Sequence, residues 1–223
     1  MQSWRRVSER VPRKKLSHFL CLVAAADESL TSKLVSIQDT IIEKHGLPKG
    51  IKVNVKDDLH ITLMTLSLDS EEAENLVLDA VRRTKESGPS SLSIGMSGIS
   101  NFGTRVMWAR PAFPNQDEFL KMSAWRELVL ESMRDLCCDS DRDWSPHATI
   151  MKTSKLRGEE RDIAITEEMV MSGDALFRTS EHPPQEIREI SLFSVKKDSE
   201  GRYIRRGTVM FPTVDREDRL DAL

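Results

Sequence analysis

The chain has 223 residues, 39% of them apolar and 31% charged, with 10 Gly and 9 Pro. That is an ordinary globular composition, and it excludes a disordered or fibrous chain. A balance of 33 basic and 36 acidic residues, net charge −3, excludes a bulk polycation that coats nucleic acid without selectivity. Three cysteines, two of them adjacent (Cys137 and Cys138) and none in a CxxC, give neither a disulfide framework nor a zinc module. The expected setting is a reducing compartment, cytoplasmic or nuclear.

Residues 1–15 read as a flexible basic arm, residues 16–212 as one bilobal domain, and residues 213–223 as a charged tail. The longest apolar run, Phe19 to Ala26, is too short to span a bilayer, so no membrane association is expected. Basic residues precede it and Ala24-Ala25-Ala26 resembles a cleavage site, but a buried strand over 18–26 is the favoured reading over a signal peptide. Leu30, Leu34, Ile37, Ile41 and Ile42 then recur at helical spacing, which predicts a helix over 28–45 that stops at His45-Gly46. A polar loop is expected over 47–58 and a strand over 59–68, where β-branched residues alternate. Asp69-Ser70 can cap the next helix, with Glu71 and Glu72 in its first turn and Leu76, Leu78, Ala80 and Val81 as apolar positions.

Strands are expected over 91–99 and 104–110, joined at Asn101-Phe102-Gly103. A helix over 116–138 follows, with Phe119, Leu120, Trp125, Leu128, Met133 and Leu136 as buried positions. Trp144 to Met151 reads as a strand, 159–172 as a short acidic helix, and 187–195 with 202–211 as a terminal hairpin. The order repeats itself: strand, helix, strand, helix, strands, then helix, strand, helix, strands. This is an α+β fold of two similar lobes.

The halves share residues at one place. Leu59-His60-Ile61-Thr62-Leu63 and Pro146-His147-Ala148-Thr149-Ile150 are both His-x-Thr within apolar segments, 87 positions apart. Composition alone would give two such motifs in roughly 3% of shuffled chains, so the pair is a signal where one alone would not be. In a strand, residues two apart share a face. His60 with Thr62, and His147 with Thr149, therefore point one way, while Ile61 and Ala148 point into a core. Two imidazoles titrating near neutrality can divide proton transfer at a phosphodiester. One takes a proton from the attacking oxygen and the other gives one to the leaving oxygen. Each Thr hydroxyl can donate to a phosphate oxygen. Such chemistry needs no metal or other cofactor. The competing readings are two satisfied strand histidines, and a zinc site built from His18, His60 and His147.

These motifs resemble the 2H phosphoesterase superfamily, from about Phe19 to Phe211. The resemblance is strongest at the two motifs, at Asp69-Ser70-Glu71-Glu72, at Ile99-Ser100-Asn101-Phe102-Gly103-Thr104-Arg105-Val106, and through Met151-Lys152. Within the superfamily the motifs look most like the central domain of A-kinase anchoring protein gamma/delta, and next like the 2H domain of activating signal cointegrator 1 complex subunit 1. It implies antiparallel sheets around a central groove with helices outside. It also implies metal-independent hydrolysis of 2′,5′-linked oligonucleotides or of 2′,3′-cyclic or RNA-terminal phosphodiesters, with His60 and His147 as the acid–base pair and Thr62 and Thr149 on the phosphate. No upstream KH-type domain and no kinase-anchoring helix is seen. A monomer acting on an oligonucleotide or RNA end is expected, or else a non-catalytic nucleotide or RNA sensor, or a scaffold with a vestigial groove. Phe19, Lys152, Trp144 and Tyr203 are further substrate-binding candidates. Alternation turns Lys152 away from Thr149, and only a curl at the strand end would bring it back.

Overall fold

The apolar run at Phe19 becomes β1 (His18–Val23), an interior strand whose Leu20 and Leu22 are fully buried. The computed structural model describes residues 14–24, 28–89, 92–138, 143–178 and 183–211. The basic arm up to residue 13 and the tail from residue 212 lie outside the described residues. After β1 come α1 (Glu28–His45), α2 (Val55–Asp58), β2 (His60–Leu66), α3 (Glu71–Thr84), β3 (Leu92–Phe102), β4 (Val106–Ala112) and α4 (Gln116–Ser132). The chain continues through β5 (Ala148–Lys152), α5 (Glu167–Phe177), β6 (Gln185–Ile187), β7 (Glu189–Lys197) and β8 (Tyr203–Met210).

Local chemistry accounts for several boundaries. The Ser70 hydroxyl accepts a hydrogen bond from the Ala73 N–H, Glu71 and Glu72 sit in the first turn of α3, and Arg82 and Arg83 sit in its last, all matching the helix dipole. Thr166 caps α5 in the same way, accepting from the Met169 N–H. The expected acidic helix over 159–172 is thus split into a 3-10 turn at Gly158–Asp162 and α5. The expected loop over 47–58 holds a 3-10 turn at Lys49–Ile51 and then α2, because Ile51, Val53 and Val55 are buried and pin it to the core.

Two helices are rotated from the apolar pattern. Leu76 of α3, and Leu120 and Leu128 of α4, are exposed at 59%, 52% and 50%. The buried stripe of α4 is Met122, Trp125, Arg126, Val129 and Leu130. A buried arginine sets that stripe, and a count of apolar residues alone does not find it.

The strands form one antiparallel sheet in the order β6-β3-β4-β5-β2-β1-β7-β8. It consists of two four-stranded halves that meet where β2 lies beside β5, at the single register pair Ile61–Ala148. Each motif strand carries a bulge at the same place. Thr62 and Met64 pair with consecutive residues of β1, which leaves Leu63 extra. Thr149 and Met151 pair with consecutive residues of β4, which leaves Ile150 extra. Leu63 and Ile150 each lie three residues past the motif histidine.

A bulge takes a residue out of the ladder, and a buried carbonyl needs a donor. Arg126 Nε donates to the Leu63 carbonyl at 2.7 Å. Gln38 Nε2 donates to the Ile150 carbonyl at 2.6 Å and to that of Val53 at 2.9 Å. The helix after β1 thus braces β5, and the helix after β4 braces β2, so the halves are laced together through their motif strands.

Candidate active site

The Ile61–Ala148 pair fixes the geometry of both motifs. Both side chains are fully buried on the core face. One residue to either side of that pair, antiparallel register sets His60 beside Thr149 and Thr62 beside His147, all four on the opposite face. The histidines lie on one diagonal of this square and the threonines on the other, and all four are half-buried.

Both imidazoles are held alike. His60 Nδ1 lies 2.5 Å from the carbonyl of Asp58, and His147 Nδ1 lies 2.8 Å from the carbonyl of Ser145. A carbonyl only accepts, so Nδ1 carries the proton in both rings and each neutral ring keeps a free lone pair on Nε2. Each motif fixes its own tautomer with the carbonyl two residues upstream.

Around His60 the packing is close. Phe19 stacks on the ring at 4.8 Å between centroids, and Tyr203 meets its edge at 5.9 Å. The Asp58 carboxylate, its side chain 4% exposed, binds Lys197 Nζ at 2.9 Å and the Tyr203 N–H at 3.3 Å. Lys197 lies over the Tyr203 ring at 4.1 Å, and Lys152 Nζ donates to the Tyr203 hydroxyl at 3.4 Å. Burial drives the His60 imidazole down to about 4, against the upward pull of the Asp58 carbonyl and carboxylate; Lys152 and His147 push it further down. Burial also lowers the ammonium of Lys152, with Lys197 adding to the effect and Asp58 opposing it. One cavity beside His60, between Phe19, Phe193 and Tyr203, holds about 10 Å³, too small for a ligand group.

The His147 side is open. Its ring meets Phe102 edge-on at 4.8 Å and Trp108 at 6.1 Å. Phe102 stacks on Trp108 yet stays 39% exposed. A cleft of about 260 Å³ runs alongside, lined by Thr62, Thr65, Phe102, Arg126, Trp144 and His147 among others. Burial lowers the His147 imidazole too, and the Ser145 carbonyl opposes it.

The remaining sequence candidates divide between the two sides. Phe19, 7% exposed, lies against His60 and Phe193 and supports the imidazole. Trp144 walls the cleft and donates from Nε1 to the Thr62 carbonyl at 2.9 Å. Tyr203 packs by His60. The simple alternation that turned Lys152 away fails, because the Ile150 bulge reverses parity and Lys152 pairs with Val106 on the face of Thr149 and Trp108. The zinc arrangement does not form: His18 binds Ser17 at 2.9 Å and Glu74 at 3.2 Å, and no metal-ligating cluster of three occurs among the described residues. Phe102, Trp108, Arg126, Asp58 and Lys197 escaped the sequence reading. Arg126 was visible as a charge in an apolar stripe; Asp58 and Lys197, 139 residues apart, gave no signal.

In fold the chain resembles several solved structures. The crystal structure of a phosphoesterase aligns at 15% identity and TM-score 0.56, covering 89% of this chain and 100% of that one. TT0787 of Thermus thermophilus aligns at 18% identity and TM-score 0.56, covering 88% and 98%. E. coli LigT, complexed with NADP+, aligns at 15% identity and TM-score 0.54, covering 89% and 99%. No curated protein sequence matches the chain. Residues 16–211 match the AKAP7 2′5′ RNA ligase-like domain, so this chain belongs to that family, within the 2H phosphoesterase superfamily.

Proposed function

We propose that the chain is a metal-independent phosphodiesterase acting on 2′,5′-linked oligonucleotides or on 2′,3′-cyclic or RNA-terminal phosphodiesters. The observation that carries this reading is the square of two histidines and two threonines, with each Nδ1 tied to a carbonyl and each Nε2 without a hydrogen-bond partner among the described residues. A phosphate seated over the square receives hydrogen bonds from Thr62 and Thr149, while the two Nε2 atoms reach oxygens on opposite sides of the phosphorus. His60, the more strongly depressed imidazole, is the base that takes a proton from the attacking oxygen. His147 protonates more readily and gives its Nε2 proton to the leaving oxygen. The cleft on its side takes the nucleoside, with Phe102 as an exposed stacking surface. The nucleotide class gains support from E. coli LigT, a relative in fold solved with 3′-AMP.

The test is a turnover panel in excess EDTA. It holds 2′,5′-oligoadenylate, 3′,5′-oligoadenylate, 2′,3′-cyclic nucleotides and RNA with different ends, each with wild type, His60→Ala and His147→Ala. One diester consumed by wild type, with losses on the order of 10²–10⁴-fold in each variant, is the expected result. Turnover by both variants equal to wild type, or turnover that EDTA abolishes, refutes the mechanism. Tight nucleotide binding with no turnover transfers the groove to a sensor.

A further inference from the structure

Beyond the square, β5 and the β3–β4 turn run together into a second concavity of about 340 Å³, lined by Arg105, Arg157 and Arg161 with Thr153, Ser154 and Asp162. The Thr153 N–H donates to the Arg105 carbonyl at 3.0 Å, which ties the strand end to the turn. Several arginines elsewhere in the molecule are matched to carboxylates: Arg178 to Asp174, Arg205 to Glu189, Arg206 to Glu74. Among the described residues, none of the three around this cavity has an ion pair. Arg157 Nη1 donates to the carbonyls of Ser154 at 3.3 Å and Leu156 at 3.1 Å, which fixes the guanidinium at the rim with other N–H groups unspent. Three guanidinium groups face one carboxylate, Asp162, on a chain whose net charge is −3. Two hydroxyls lie beside them. Planar, permanently charged donors around a polar hollow are suited to a phosphate group.

The placement relates this hollow to the site. Thr153 follows Lys152 directly, and Arg105 lies three residues past Phe102. With Ile150 bulged out of the ladder, the path from Thr149 to Thr153 matches that from Trp108 to Arg105 on the neighbouring strand, three steps or about 10 Å at 3.3 Å each, a span that an oligonucleotide of a few residues bridges and a mononucleotide does not. We propose that this cavity binds a second phosphate of the substrate, so that the preferred substrate is an oligonucleotide of several residues rather than a small cyclic nucleotide. The inference rests on the phosphodiesterase reading for its substrate class and on the arginine cavity for its length preference.

The experiment compares diadenylate with tetraadenylate, each 2′,5′- and 3′,5′-linked, in wild type and in an R105A/R157A/R161A variant. All three arginines are exposed, so the variant should keep the fold, which circular dichroism verifies. The readouts are kcat/KM and, in a His147→Ala background, the affinity for the fluorescein-labelled oligonucleotides. Wild type should favour the tetramer about tenfold. The triple variant should lose that preference, keep its rate on the dimer, and show a shallower salt dependence. Equal handling of dimer and tetramer by wild type, or a preference that survives the triple variant, overturns the inference. Turnover without a length preference leaves the phosphodiesterase reading standing alone. Length-selective binding that needs the arginines, with no turnover of any diester, keeps the cavity and removes the enzyme.

Discussion

Around His60 the protein is packed and charged, with Phe19 against the ring, Asp58 paired to Lys197, and a cavity of only about 10 Å³ between Phe19, Phe193 and Tyr203. Around His147 it is open and aromatic, with Phe102 half in solvent and a cleft of about 260 Å³. Yet the motifs match, the bulges match, and both Nδ1 atoms are tied to the carbonyl two residues back. Local geometry has been kept in both halves while the surroundings have diverged. In the proposed reaction the symmetric square is the part that would hold the phosphate, and the asymmetric flanks would decide which imidazole is the more firmly neutral and which side takes the rest of the substrate.

Two phenylalanines test this contrast most strongly. Phe19→Ala removes a buried ring and should cost about 3–5 kcal/mol of stability, read by denaturant melts, with kcat falling as His60 loses its support. Phe102→Ala should leave the melt within about 0.5 kcal/mol of wild type and raise KM instead. Matching profiles for the two variants would erase the distinction between a packed side and a binding side.

A smaller loss is expected from Lys197→Met, which strands the Asp58 carboxylate with the Tyr203 N–H as its remaining partner. Breaking a buried pair is costly, but Lys197 is 26% exposed, which reduces the loss to roughly 2–3 kcal/mol. Asp58→Asn added to Lys197→Met should recover part of it, since the orphan charge is gone. No recovery would mean that the lysine acts through its packing over Tyr203.

The smallest effect is the most diagnostic. With His60 at about 4 and His147 below its ordinary 6.5, the productive form of the free enzyme has His60 neutral and His147 protonated. A plot of kcat/KM should then rise through pH 4, fall before pH 6.5 is passed, and peak on the acid side of neutrality. An optimum above pH 7 would contradict the lowering of both imidazoles by burial. The fold should also weaken as pH drops from 6.5 toward 4, because only the unfolded chain takes up the His60 proton there. Thermal melts across that range check the sign.

Much of the candidate site is legible in the sequence alone. His60, Thr62, His147 and Thr149 are read from period two and from the repetition of one tripeptide. The order of strands and helices follows from apolar spacing and from caps such as Ser70. Lys152 shows where such reading stops. Its parity depends on the bulge at Ile150, which is stabilised by Gln38, a residue 112 positions away. Leu120 and Leu128 mislead for the same reason: the rotation of α4 is set by what Arg126 meets across the sheet.

The sequence by itself determined the two-lobed α+β order and the motif tripeptides, because propensity, alternation and short-range hydrogen bonds act within a few residues. Tertiary structure alone decided that β2 meets β5 at Ile61 and Ala148, and that Asp58 meets Lys197. It also decided that the open flank belongs to His147. Those outcomes rest on contacts between segments a hundred or so residues apart, where burial and the need to satisfy buried polar groups select a partner that no local pattern records.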